Sequence, residues 1–373
     1  MRPPRRRAAA RIFLVTFAGT MILAAPLRAQ TVTASGVDSV KVRANVQAQF
    51  NTTSADDEAD SEWLLRRARL GIAAYAGGWL YTFVEGDFGR GDARLTDGFV
   101  TLRFDPRLEV RAGQFKVPFD ELELVSSREL PVVERDPLPR GGVGQSPNGL
   151  LDDLGYNARD IGLDWNGRFD PVRATAGVFN GQGDNEEEPD DGKQVAARVA
   201  VEVAEGWRVA GAWAGLRLSE PPAAEEAAWY QAVELAIRGG EYAEPGPQVL
   251  GQIFFGDDHD PEVLGDDDAS FFAWQGIAGW HFATYRTPFL IGWEPVVRAG
   301  QTRIEDGSVV IDDVVVDLSD AEPSTTVLTG GVNLYWKERI RTQLQVDWVS
   351  FDGDGELEDS DDVALRIQTG FGF

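Results

Sequence analysis

Basic side chains recur in this sequence on the polar face of runs that alternate apolar and polar residues, the spacing that puts every second side chain of an extended chain on one side. Lys41 and Arg43, Arg67 and Arg69, and the more scattered Arg103, Arg111, Lys116, Arg341 and Arg366 all read as facing away from the apolar side of their runs. Guanidinium groups arrayed in this way bind oxyanions, because the planar fork meets phosphate or carboxylate through two parallel hydrogen bonds and stays charged at any working pH. Rings of such groups along a passage select anions. Carboxylates share the same face, Glu85, Asp87, Asp97, Glu109 and Asp347 among them, so some of the arginines are expected to be paired.

Covalent chemistry has little to stand on. The chain has no Cys, which removes thiolate nucleophiles, thiolate metal sites and disulfides. Of its two histidines, His259 lies in an acidic stretch and His281 sits between Trp280 and Phe282, where packing at a strand end is the expected role. No nucleophile stands beside an orienting base, and neither a phosphate-binding glycine loop nor a dinucleotide fingerprint occurs. No catalytic residue, metal or cofactor is implied.

The elements that would carry the basic face are strands. From Ser39 to Phe50, Val40, Val42, Ala44, Val46, Ala48 and Phe50 point one way and Lys41, Arg43, Asn45, Gln47 and Gln49 the other. The last eleven residues repeat the pattern, with Val363, Leu365, Ile367, Thr369, Phe371 and Phe373 opposite Ala364, Arg366, Gln368, Gly370 and Gly372. Long strands with one wholly apolar and one polar face are the mark of a membrane-spanning barrel wall. Sixteen such strands are predicted, the weakest in the span 218–256, where Ala224–Arg238 also suits an amphipathic helix. Tight turns such as Ala76-Gly77-Gly78 and Asp105-Pro106-Arg107 alternate with longer, mostly acidic loops, as barrels with short periplasmic turns and long external loops require. Trp79, Phe104, Phe169, Trp207, Phe282, Trp336 and Phe373 all fall beside the short turns, where an aromatic girdle belongs. The fold class expected is therefore all-β, a transmembrane antiparallel β-barrel of about 16 strands.

The ends of the chain agree with export. Residues 1–29 read as a secretory signal peptide, with a basic start (Arg2, Arg5, Arg6, Arg7, Arg11), an apolar run from Ile12 to Ala25 and Leu27-Arg28-Ala29 as the cleavage site. Residues 30–373 form one barrel domain. The formal charge of −26 includes six arginines of this leader, so the exported chain carries −32, an excess that argues against nucleic-acid partners. Asp352-Gly353-Asp354-Gly355-Glu356 begins like a calcium loop but lacks its later ligands, and a solvated face is the plainer reading.

Several blocks carry a family resemblance. Leu65-Arg66-Arg67-Ala68-Arg69-Leu70-Gly71 is followed by Gly113-Gln114-Phe115-Lys116-Val117-Pro118-Phe119, a GQFKxPF block, then by Ser126-Ser127-Arg128-Glu129-Leu130 and Val133-Glu134-Arg135. Arg159-Asp160-Ile161-Gly162 and Gly177-Val178-Phe179-Asn180-Gly181 continue the order. From about residue 64 to 183 the chain resembles the phosphate-selective porin O and P family. That resemblance implies a sixteen-stranded homotrimer in the Gram-negative outer membrane, in contact with lipid and lipopolysaccharide. Its long loop, here Val117–Asn157, would fold inward to narrow the channel and bring Arg128, Arg135 and Arg140 to the constriction. Small hydrophilic solutes would diffuse through it, with anions such as phosphate favoured. The competing expectation is a non-conducting structural or adhesive barrel, with the loop as a plug and an acidic, cation-binding exterior as the working surface.

Overall fold

The structure, a computed structural model, describes residues 31–32, 36–54, 61–137, 145–186, 191–218, 227–259, 270–284, 287–305, 308–311, 314–317, 322–353 and 358–373. The leader and Arg140 lie outside these residues, as do most carboxylates of the acidic loops and residues 354–357 of the calcium-like segment.

A two-residue strand β1 (Thr31–Val32) precedes β2 (Ser39–Thr53), β3 (Ser61–Ala76), β4 (Leu80–Asp87), β5 (Arg94–Asp105) and β6 (Leu108–Lys116). After the long loop come β7 (Arg159–Phe169), β8 (Val172–Phe179), β9 (Lys193–Ala204), β10 (Trp207–Leu218), β11 (Ala228–Gly239), β12 (Gly246–Asp257), β13 (Ser270–Ala283) and β14 (Leu290–Glu305). A small hairpin, β15 (Ser308–Ile311) and β16 (Val314–Asp317), separates β14 from β17 (Ser324–Trp336), β18 (Ile340–Asp352) and β19 (Ser360–Gly372).

Apart from β1 and the small hairpin, these strands form one closed ring of sixteen, each antiparallel to its neighbours. Closure is made by β19 on β2, with Gln368 opposite Gln49 and Ile367 opposite Phe50. Phe373 and Ala44 then exchange two backbone hydrogen bonds of 3.0 and 3.1 Å, and β1 pairs with β2 just beyond, at Lys41 and Val40. Among the described residues no helix is long and apolar enough to cross a membrane. A closed sheet answers the same need, since hydrocarbon offers no partner to an open strand edge.

The period-two pattern sorts side chains as expected. On β2, Gln47 is 2% exposed and Val46 44%; on β19, Arg366 is 3% exposed and Val363 46%. Polar residues are therefore enclosed and apolar ones face outward, the reverse of a soluble barrel. Trp79, Phe104, Phe169 and Phe282 are exposed beside the short turns. Of the ambiguous stretch Ala224–Arg238, residues 228–238 belong to strand β11, with Ala232, Glu234 and Ala236 enclosed and Val233, Leu235 and Ile237 exposed, an alternation no helix would give, while residues 224–226 lie outside the described residues. His281 departs from its expected role. Trp280 and Phe282 face outward, so alternation turns His281 inward, where it is buried, 4.5 Å from the Tyr335 ring and 3.8 Å from Glu294.

The long loop between β6 and β7 folds into the lumen and holds much of the apolar core. Two short helices, α1 (Glu121–Leu124) and α2 (Pro147–Asp153), lie within it. Phe119, Leu150, Leu151, Leu154 and Tyr156 pack against Phe254 and Phe271 of the wall, while Leu122, Val125, Leu130 and Val132 pack against Leu250, Ile277 and Val296. The apolar part of the loop thus sits against β9–β14, its polar groups reach β2, β3 and β17–β19, and open space remains along β2–β8.

Candidate channel constriction

Charged and polar contacts add to the apolar packing that seats the loop. Glu234 of β11 accepts from the backbone N–H groups of Asp120 (3.1 Å) and Glu121 (2.7 Å), from Arg198 (2.7 Å) and from Gln252 (2.9 Å). Asp120, in the left-handed region at φ 63°, accepts from the N–H groups of Leu122 and Glu123 and from Gln252 and Asn157. Glu121 in turn binds Arg198 and Arg208. On the far side Asp347 holds Arg298 (3.3 Å) and Arg366, and these arginines donate to loop carbonyls: Arg298 to Glu134 and Arg135, Arg366 to Pro137. Arg341 donates to the carbonyl of Leu130 at 2.8 Å. Buried polar groups without partners are costly, and this network provides them for a loop with little regular structure of its own.

Besides a cavity of about 400 Å³ against β2 and β17–β19, open space remains that is bounded by β2–β7 on one side and the loop on the other. A cavity of about 350 Å³ lies there, with six cationic side chains on its lining, Arg43, Arg69, Arg111, Lys116, Arg128 and Arg159, against two carboxylates, Glu85 and Asp97. A vestibule of about 490 Å³ toward the short turns shares Tyr81, Phe99 and Arg111 with it.

The sequence candidates divide into three groups here. Arg43 and Arg128 face the cavity with no ion pair among the described residues, and Lys41, exposed at the start of β2, has none either. Arg69, Arg111, Lys116 and Arg103 are lumenal but paired: Arg69 with Asp87 (2.7 Å) and Glu85 (3.8 Å), Arg111 with Asp164, Lys116 with Glu123 (3.0 Å), Arg103 with Glu109 (2.6 Å). Arg341 and Arg366 instead clamp the loop. Arg135 also turns inward on its own loop, binding Glu123 (2.8 Å) and the carbonyls of Leu122, Glu123 and Val125. Arg67 is buried and donates to Gln47 at 2.8 Å.

Two participants escape a period-two reading, and a third carries no local sign of its role. Arg159 pairs with Asp97 at 3.0 Å and lines the cavity, although its parity with outward Ile161 predicts the opposite side. It sits at the strand's first residue, just after Ala158 at φ 67°, where the alternation has not begun. Arg66 is the extra residue where Gln47 pairs with Arg67 but Ala48 with Leu65, and this bulge lets it form a two-bonded pair with Glu134 at 2.6 and 2.8 Å. The third, Glu234, does lie on the lumen face, but nothing in its local sequence announces a partner 113 residues away.

A family model for phosphate-selective porin O and P matches residues 40–244. No curated protein sequence matches the chain. Among solved structures, the outer membrane channel DcaP of Acinetobacter baumannii is similar at TM-score 0.61 and 11% identity, covering 92% of this chain and 99% of that one. An anion-selective porin from Comamonas acidovorans is similar at 0.59 and 13%, covering 90% and 99%. The trimer form of OmpT from Vibrio cholerae is similar at 0.57 and 11%, again over 90% and 99%. At such identities these are likenesses of fold.

Proposed function

The chain belongs to the phosphate-selective porin O and P family, and on that premise we propose that its constriction passes small hydrophilic anions, phosphate included, in preference to cations. Membership makes it an outer-membrane channel and not an enzyme. Selectivity is the further step, and one observation carries it: of six cations lining a single 350 Å³ cavity, four are paired with carboxylates and two, Arg43 and Arg128, have no ion pair among the described residues. Transport is diffusion down a gradient. An oxyanion entering the cavity exchanges part of its hydration shell for the forks of Arg43 and Arg128, while the paired arginines contribute a field already softened by their carboxylates.

The same reading includes three further elements. Residues 1–29 are removed on export. The outward apolar belt meets outer-membrane lipid, and the long-loop end meets lipopolysaccharide. Three copies assemble, as OmpT of Vibrio cholerae, which shares the fold, does in its trimer form.

Reversal potentials across a planar bilayer test the selectivity, first in a KCl gradient and then in potassium phosphate. A potential displaced toward the anion's equilibrium value in both salts is expected, and displacement toward potassium overturns the proposal. The rival plug reading rests on the buried apolar packing of the loop, and well-folded protein that shows no conductance steps would favour it.

A further inference from the structure

The wall of the constriction is not polar throughout. Lumen-facing positions of β3, β4 and β5 carry Tyr75, Tyr81, Phe83 and Phe99, with ring centroids 4.8 Å apart for Tyr75–Tyr81, 5.9 Å for Tyr81–Phe99 and 5.8 Å for Phe83–Phe99. Tyr75 lines the vestibule, Phe83 the constriction, and Tyr81 and Phe99 both, so the ladder runs through these two cavities. Cations lie along it: Lys41 is 5.1 Å from the Tyr75 ring, Arg43 5.1 Å from Phe83 and Arg111 5.3 Å from Phe99. A hydrated inorganic anion is repelled by the faces of these rings and can use only the hydroxyl tips of Tyr75 and Tyr81.

We propose that the preferred solutes are aromatic carboxylates, a planar ring bearing one anionic group. The inference rests on the anion reading above and narrows it. The solute's ring takes up contact with Tyr75, Tyr81 and Phe99 in offset or edge-on geometry, while its carboxylate meets the unpaired fork of Arg43 or Arg128. An aromatic pair adds roughly two- to ten-fold in occupancy beyond simple area burial. Aliphatic carboxylates and phosphate share the charge but gain nothing from the ring faces.

The test uses the full-length channel in a planar bilayer. After the KCl reversal potential is recorded, block of the chloride current is titrated with benzoate, acetate and cyclohexanecarboxylate. Benzoate should half-block at about ten-fold lower concentration than acetate, and cyclohexanecarboxylate, similar in size but not planar, should fall well short of it. In Tyr75→Leu/Tyr81→Leu the benzoate advantage should shrink toward one with the KCl reversal potential unchanged; Tyr81→Leu alone serves if the double variant does not fold. Equal block by benzoate and either competitor, or an advantage untouched by the leucine variants, overturns this inference while an anion-directed KCl potential leaves the broader reading standing. A cation-directed potential or a silent barrel removes both.

Discussion

At Arg366 both ends of the guanidinium are occupied, one nitrogen donating to Asp347 and another to the carbonyl of Pro137. Arg128 bears the same charge in a different setting. Its side chain runs over Gly372 in the closing strand, where an added Cβ would stand 2.9 Å from its Cδ, and it lines two cavities with no carboxylate partner among the described residues. The two should therefore respond differently to substitution. Arg128→Glu and Arg43→Glu each change the constriction by two charges and should move the KCl reversal potential toward potassium. Arg366→Gln should leave that potential near its starting value yet loosen the loop, since breaking a buried pair costs about 3–5 kcal/mol. Bilayer recordings read both effects, one as potential and the other as open-channel noise. An Arg366→Gln potential displaced as far as that of Arg128→Glu would contradict this division of roles.

The loop is the element on which the channel's bore depends, and its seat is made of carboxylates with opposed titration. Glu123 is buried, which works against its charge, but the Arg135, Lys116 and Arg159 charges prevail and hold it at about 2. Burial pushes Asp136 up to about 6 although the Ser146 hydroxyl donates to it. The signs differ accordingly. Glu123 contributes fully above the ordinary carboxylate range and loses that contribution as pH falls toward 2, whereas Asp136 contributes fully below that range and loses its share as pH rises through about 6. The loop should sit most firmly near about pH 4, where Glu123 is already ionised and Asp136 has not yet lost its contribution. Noise should rise as pH goes from about 4 to about 6 and then level off, and Asp136→Asn should flatten that rise. At the other anchor, Glu234→Gln removes the charge facing Arg198 while keeping an acceptor for the loop N–H groups. It should increase fluctuation between conductance levels without abolishing conduction. A quiet, unchanged channel would show that the apolar packing alone holds the loop.

At the scale of the whole molecule, the ring of sixteen strands has no free edge and shows its apolar side outward. Folded protein should need detergent to stay dispersed and should migrate faster on a denaturing gel unheated than boiled. Its mass in detergent, corrected for bound amphiphile, should equal three chains, and a single-chain mass would remove the trimer from the proposal. Much of this architecture was legible in advance. The alternation from Ser39 to Phe50 and from Val363 to Phe373 predicted which side of β2 and β19 is enclosed, and the blocks around Gly113–Phe119 placed the inward loop. Arg66 and Arg159 were not legible, because one sits on a bulge and the other precedes the regular part of its strand. Parity is informative only where the backbone keeps its period.

By itself the sequence determined the wall: strand number, the direction of each side chain along regular strands, and the end at which the short turns and exposed aromatics gather. These follow from a two-residue repeat and the contrast between hydrocarbon and water, both local. Only the tertiary structure decided which basic residues remain available to a solute. Arg43, Arg69, Arg341 and Arg366 look alike along the chain, and what separates them is the path of a loop that brings carboxylates and backbone carbonyls from far away in sequence against some of them and leaves others facing open space. Charge pairing depends on distance in three dimensions, and no periodicity encodes it.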